Sequence, residues 1–281
     1  MGKGRMLRAS ALLAMVVLLG TMSAAEGGPD LPPVALEAFL TAAAPTGQAQ
    51  QGSPVSKDDK TGTNPVNFQN TMVLWNEYRD LPGDHYFNQA VFEYRQPLQD
   101  RGAELRLRVP MVASDLSGDT EFGIGDIALR YLRSLKLTRK YAWAAGLETF
   151  FDTAGDDALG TGKYQLAPVV YYVMFLGPGR LIAPGYQHNF SIGGDDDRAD
   201  INSGALDLYC LQMAKGGKSW VMLDPGLIIN YEDDNSVSGY LKVVLGASIG
   251  GGASTYLKPA IGIGGDRSMD WSLEFGFKRI W

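Results

Sequence analysis

The stretch Trp271-Ser272-Leu273-Glu274-Phe275-Gly276-Phe277-Lys278-Arg279-Ile280-Trp281 admits few folds. Its odd positions carry Trp271, Leu273, Phe275 and Phe277, and its even positions carry Ser272, Glu274, Gly276 and Lys278. Side chains alternate across a strand with a period of two, so this is a β-strand with an aromatic-rich apolar face and a polar face. One alternating strand is compatible with many buried sheets. The constraint tightens when the rest of the chain is found to repeat it.

From about residue 68 the chain runs in segments of 10–14 residues divided by turn chemistry. The strands expected are 69–79, 86–97, 102–112, 122–133, 140–151, 164–176, 180–192, 201–213, 218–231, 237–248, 253–263 and 271–281. In 102–112, Ala103, Leu105, Leu107, Val109 and Met111 oppose Glu104, Arg106 and Arg108. In 140–151, Tyr141, Trp143, Ala145, Leu147 and Phe151 oppose Ala142, Ala144, Gly146 and Glu148. Alternation alone fits a soluble sandwich as well as a barrel.

The connections separate the two. Every other one, from Asp80–His85 through Asp152–Lys163 to Gly264–Asp270, is polar; most are acidic and several are long. Those between are shorter, and their charges are mainly basic. Two classes of turn at two ends describe an up-and-down sheet, and in lipid only a closed sheet leaves no unpaired edge. The reading is an all-β, transmembrane, antiparallel barrel of about 12 strands over 67–281. An even strand number puts both termini at the tight-turn end, in the periplasm of a Gram-negative cell. An aromatic at position 281 suits a membrane interface. It resembles the terminal strand signal of outer-membrane barrels, which implies the barrel-assembly machinery as a partner acting through the strand ending at Trp281. Pro168, Pro184, Pro225 and Pro259 are expected at bulges or near strand ends.

The N-terminal part differs in kind. Lys3, Arg5 and Arg8 precede an apolar run from Ala11 to Gly20, and Ser23-Ala24-Ala25 follows, so 1–25 reads as a signal peptide. The run is too short to cross a bilayer as a helix. Residues 26–66 read as a periplasmic linker. Val34–Leu40 has the composition for two helical turns, and Thr46–Asn64 has almost no large apolar side chain. A mobile segment and a plug inside the barrel are both open. The single Cys210 allows no intramolecular disulfide, and a net charge of -6 argues against nucleic acid.

With these faces, the lumen carries Glu77, Glu93, Arg95, Glu104, Arg106, Arg108, Asp126, Arg130, Glu148, Asp207, Asp224, Lys242, Lys258, Glu274 and Lys278. Acidic and basic groups nearly balance. Two readings stand: a salt-bridged structural interior, or a charged constriction. In the second, Arg95, Arg106, Arg108 and Arg130 face Glu93, Glu104 and Asp126 across the pore and set up a transverse field. Trp75, Phe87, Tyr240 and Tyr256 interleave with the charges, a mixture suited to small amphipathic solutes.

Several motifs fail in context. Gly246-Ala247-Ser248-Ile249-Gly250 spells a nucleophile elbow but leads into a strand rather than a helix. Gly123-Ile124-Gly125-Asp126-Ile127-Ala128 spells a dinucleotide fingerprint but continues with period two. Gly160-Thr161-Gly162-Lys163 lacks the hydroxyl residue of a phosphate loop, since Tyr164 follows. Asp156-Asp157 and Asp195-Asp196-Asp197 read as solvated loop tips, with Ca²⁺ binding as the alternative. No cofactor, metal or catalytic residue is assigned. His85 is expected in a loop and His188 on a strand near the outer rim.

Phe122-Gly123-Ile124-Gly125-Asp126-Ile127-Ala128-Leu129-Arg130-Tyr131, Gly160-Thr161-Gly162-Lys163-Tyr164-Gln165-Leu166-Ala167-Pro168 before Tyr171-Tyr172, and Tyr186 followed by Ser191-Ile192-Gly193-Gly194-Asp195 resemble the MetA-pathway of phenol degradation family of outer-membrane proteins. The resemblance covers roughly residues 65 to 281. It implies uptake of small hydrophobic or aromatic compounds and transfers no site residue. The expected function is therefore a passive outer-membrane channel, with outer-membrane lipids and small-molecule solutes as partners. The alternatives are a lipid hydrolase using His188 with a serine at the outer rim, and a structural or surface-receptor barrel.

Overall fold

A computed structural model describes residues 61–98 and 102–281. The leader read at 1–25 and residues 26–60 of the linker lie outside the described residues. Among the described residues there are thirteen strands and no helix. They are β1 (Thr71–Leu81), β2 (His85–Leu98), β3 (Ala103–Ser114), β4 (Glu121–Ile124), β5 (Ile127–Leu137), β6 (Tyr141–Phe151), β7 (Lys163–Gly177), β8 (Arg180–Gly194), β9 (Asn202–Met213), β10 (Ser219–Asn230), β11 (Ser236–Gly250), β12 (Ala253–Ile263) and β13 (Trp271–Ile280). Apart from β4 and β5, which both pair with β3, each strand pairs antiparallel with its neighbours in sequence. The sheet closes because β13 pairs with β1 and β2 pairs with β3.

β4 and β5 are two parts of one stave, since both pair with β3, through Met111–Ser114 and Ala103–Arg108. The barrel therefore has twelve staves, as the alternation predicts. The one departure is the interruption of the expected 122–133 strand at Gly125-Asp126. There the Gly125 N–H still donates to Pro110 O at 3.0 Å, while the loop after β6 presses Leu159 onto the strand. A Cβ on Gly125 would lie 2.8 Å from Val112 Cγ2 and 3.0 Å from the Leu159 carbonyl oxygen. Only a residue without a side chain fits that contact.

Large apolar side chains point outward. Leu74, Trp143, Leu245 and Phe275 are exposed, while the inward-facing Ala142, Ala144, Val173 and Ala183 are fully buried. This inverts the arrangement of a water-soluble barrel, and a continuous apolar belt of this kind matches a hydrocarbon surround. The four prolines do not sit at bulges or strand ends. Pro168, Pro184, Pro225 and Pro259 lie mid-strand, paired on one side with Leu147, Leu208, Leu241 and Leu273. On the other side two pairs drop out of each ladder and the same register resumes. Each ring replaces a donor on one edge only and projects from the apolar face, so no bulge is needed.

The lumen is shaped by aromatic side chains laid over cross-strand glycines. Tyr171 pairs with Gly185, Trp220 with Gly246, Tyr240 with Gly226 and Tyr256 with Gly276. In each case a Cβ on the glycine would overlap the ring. The rings thus lie against the wall instead of crossing the bore. Near the short turns the interior is apolar, with Leu132, Val173, Leu181, Leu211, Trp220 and Met222 in one cluster. Val66 and Phe68, from the segment before β1, are buried in that cluster. The two termini of the barrel meet at the short-turn end, where the Trp281 N–H donates to Asn70 O.

Candidate functional site

The inward face encloses a cavity of about 410 Å³ whose lining runs from residues 62–65 to Arg79 near the loop end. Its floor is the strap at 61–68. Lys278 Nζ donates to Thr61 O at 2.8 Å, and Arg95 Nη1 donates to Gly62 O at 2.9 Å. Two cations expected to line an open pore thus hold a strap of main chain across it.

One wall is basic. Strand register places Arg95 on β2 beside Arg106 on β3, Arg106 beside Arg130 on β5, and Arg130 beside Glu148 on β6. Like charges directly across a ladder repel, and each arginine has a carboxylate to offset this. Arg95 bonds Glu93 at 2.5 Å and Arg106 bonds Glu104 at 3.1 Å. Glu148 is fully buried and accepts from both Arg108 Nη2 and Arg130 Nη2. Arg130 also donates to Tyr171 Oη at 3.3 Å and Gln187 Oε1 at 2.8 Å. A buried carboxylate with two guanidinium partners satisfies the condition under which charge is tolerated away from water.

Half-way round a ring of twelve, β10 faces β3. There Asp224 pairs in register with Lys242, and Asp207 accepts from the Tyr240 hydroxyl. Lys242 Nζ lies 3.9 Å from the Tyr240 ring centre. Between these walls, Glu274 takes Lys258 and the Tyr256 hydroxyl, the latter at 2.5 Å. Glu77 accepts from Arg79, Gln89 and Ser272. Asp224 Oδ1 is buried without a hydrogen-bond partner among the described residues.

The acidic partners expected opposite the arginines are elsewhere. Glu93 and Glu104 stand two residues from Arg95 and Arg106 on the same strands, because alternate residues share a face and meet most easily there. Asp126 fastens the loop after β6. It accepts from the backbone N–H of Thr153 and Ala154, each at 3.3 Å, and from the N–H and hydroxyl of Thr161, at 2.8 and 2.9 Å. Arg198 ties that loop to the next, donating to Gly160 O at 3.0 Å. Lys163 adds an ion pair with Asp200 at 2.9 Å. Hydrogen bonds from Lys163 and then Ser191 hold the Asp200 carboxyl below its usual range. Phe87 stacks under Arg79 near the loop end and does not border the cavity.

Arg79, Tyr171, Gln187 and Tyr209 border the cavity and were missed by sequence reasoning. Parity would have found Arg79 and Tyr209, two positions from Glu77 on β1 and Asp207 on β9, but Tyr171 and Gln187 lie on β7 and β8, which carry none of the residues assigned to the lumen. Among the described residues no group of three His, Cys, Asp or Glu is placed to hold a metal ion. His188 projects from the outer face of β8. Its Nδ1 lies 3.0 Å from the Tyr186 hydroxyl, and its ring meets Phe190 and Tyr231; a serine is not among these contacts.

No protein-family model matches the chain, and no curated protein matches it. Solved structures do. The COG4313 outer membrane channel from Pseudomonas putida F1 matches with a TM-score of 0.64 at 13% identity, over 76% of this chain and 96% of that one. The NanC porin matches with a TM-score of 0.56 at 12% identity, over 75% of this chain and 99% of that one. The architecture described above is thus the fold of outer-membrane channel barrels.

Proposed function

We propose that the chain is a passive channel for small amphipathic solutes in the outer membrane of a Gram-negative bacterium. In this reading the short-turn end and both termini face the periplasm. The carrying observation is the lumen itself: a charged cavity of about 410 Å³ resting on a strap that Lys278 and Arg95 bond to the barrel wall. Charged groups line the cavity, and the apolar cluster around Val66 and Phe68 adjoins its floor. A hydrophobic or aromatic solute body suits that apolar layer. Outer-membrane lipids then cover the apolar belt, and the alternating strand ending at Trp281 is the segment offered to the barrel-assembly machinery.

Conductance tests this. The full-length protein in planar bilayers should give small current steps, and deletion of residues 26–64 should enlarge them. Silence from both proteins would overturn the channel reading. Equal conductance from the two would remove the strap as its constriction. The hydrolase alternative has no comparable support, because the contacts of His188 supply tyrosine and aromatic rings in place of a serine.

A further inference from the structure

We propose that this lumen selects small anions and seats a carboxylate on the arginine row of β2, β3 and β5. As a statement about transported solutes it rests on the channel reading; as a statement about binding it does not require conduction. Summed over the inward-facing residues, acidic and basic groups nearly cancel, which predicts no preference. The fold separates them by depth. Glu104 and Glu148 sit behind the arginines they bond, at 3% and 0% exposure, and neither borders the cavity. Asp126 is spent on the outer loop. Arg79 joins the lining instead.

Among the described residues, eight lysine and arginine side chains and five carboxylates therefore border the cavity. A solute inside meets an excess of positive charge that the overall composition hides. Walls lined by one sign of charge concentrate the opposite ion. The carboxylates that remain are largely occupied: Glu77, Glu93, Asp207 and Glu274 each accept from protein donors. The arginines are less so. Arg108 Nε and Arg130 Nε are buried with no hydrogen-bond partner among the described residues. Guanidinium donors are fixed in a plane and match the two oxygens of a carboxylate. A cavity of this size holds a small organic acid, near the lower end of common ligand pockets. Trp75, Tyr171 and Tyr209 offer its carbon skeleton an aromatic surface.

Two measurements on the full chain test the proposal separately from the channel reading. In detergent, the part of the emission lost in Trp75→Phe reports the cavity, and its quenching by iodide should exceed that by caesium several-fold. Succinate should compete with iodide. The paired variant Glu104→Gln/Arg106→Gln leaves the net charge unchanged but removes one bordering cation with its hidden partner. It should lower the iodide advantage and weaken succinate competition. In bilayers under a KCl gradient, the reversal potential should show chloride preferred, and the paired variant should reduce the preference. Equal quenching by the two ions, cation preference, or a paired variant indistinguishable from wild type would each overturn the proposal. Preferential iodide quenching in a protein that carries no current would sustain the anion site and overturn the channel reading instead.

Discussion

Gly276→Ala probes the device that lays an aromatic ring flat against the barrel wall. The new methyl would lie 2.5 Å from the Tyr256 hydroxyl oxygen and closer still to two ring carbons. The ring must then leave the wall. Moving it breaks the 2.5 Å bond to Glu274 and lifts the ring from Lys278 Nζ, 4.8 Å from its centre. Overpacking costs roughly 1–3 kcal/mol, and losing a hydrogen bond to a charged acceptor costs roughly 1.5–3 kcal/mol. A loss of about 3–5 kcal/mol follows, a hundredfold or more in the folded ratio at ~1.4 kcal/mol per decade. Equilibrium unfolding by guanidinium in phospholipid vesicles measures it. Tyr256→Phe should lose only the hydrogen-bond part, about 2 kcal/mol. In a Tyr256→Ala background the clash is gone, and Gly276→Ala should be neutral or slightly stabilising, because glycine is unfavourable within a strand by roughly 0.5–1 kcal/mol. The cycle should therefore show a coupling of about 2 kcal/mol or more. An equal cost of Gly276→Ala in both backgrounds would refute the ring-on-glycine account, as would a cost matching that of Gly155→Ala, whose methyl meets nothing within 4 Å.

Further outcomes follow from the same contacts. Glu148→Gln removes the charge between Arg108 and Arg130 and should cost about 3 kcal/mol in the same unfolding assay, while leaving ion preference near wild type because Glu148 does not border the cavity. Asp126→Ala releases four donors of the loop after β6, so hydrogen exchange at residues 153–161 should accelerate with little change in global stability. Asp200 titrates below its unfolded value of about 4. Its tie to Lys163 is thus fully present above that pH and is lost as pH falls through the lower folded value. Exchange in the loop 195–201 should rise below about pH 4 in wild type, and Asp200→Asn should show the faster rate at neutral pH already.

The fold was legible because one rule, alternation with a period of two, governs nearly the whole barrel. All twelve staves follow from it. What stayed hidden depends on contacts that alternation cannot express. Gly125-Asp126 breaks its strand because Leu159, more than thirty residues onward, lands on it. Pro168 and its three counterparts looked like bulge residues, yet a donor missing from one edge leaves the register intact. The depth order that puts Glu148 behind Arg108 and Arg130 also escapes a list of inward positions, because parity gives a face but not a distance from the axis. The strap at 61–68 carries no periodic signal, and its place in the bore shows only in its contacts: the bonds to Arg95 and Lys278 and the burial of Val66 and Phe68.

The central claim is that hydrocarbon covers the aromatic side of the sheet while the other side faces the lumen. Spin labels at single cysteines from 271 to 275 and at 277 along β13, placed in a Cys210→Ser background in lipid vesicles, test it directly. Oxygen, which partitions into hydrocarbon, should relax labels at 271, 273, 275 and 277 strongly and those at 272 and 274 weakly. Uniform relaxation along the strand, or stronger relaxation at odd positions by a water-soluble nickel complex, would contradict it.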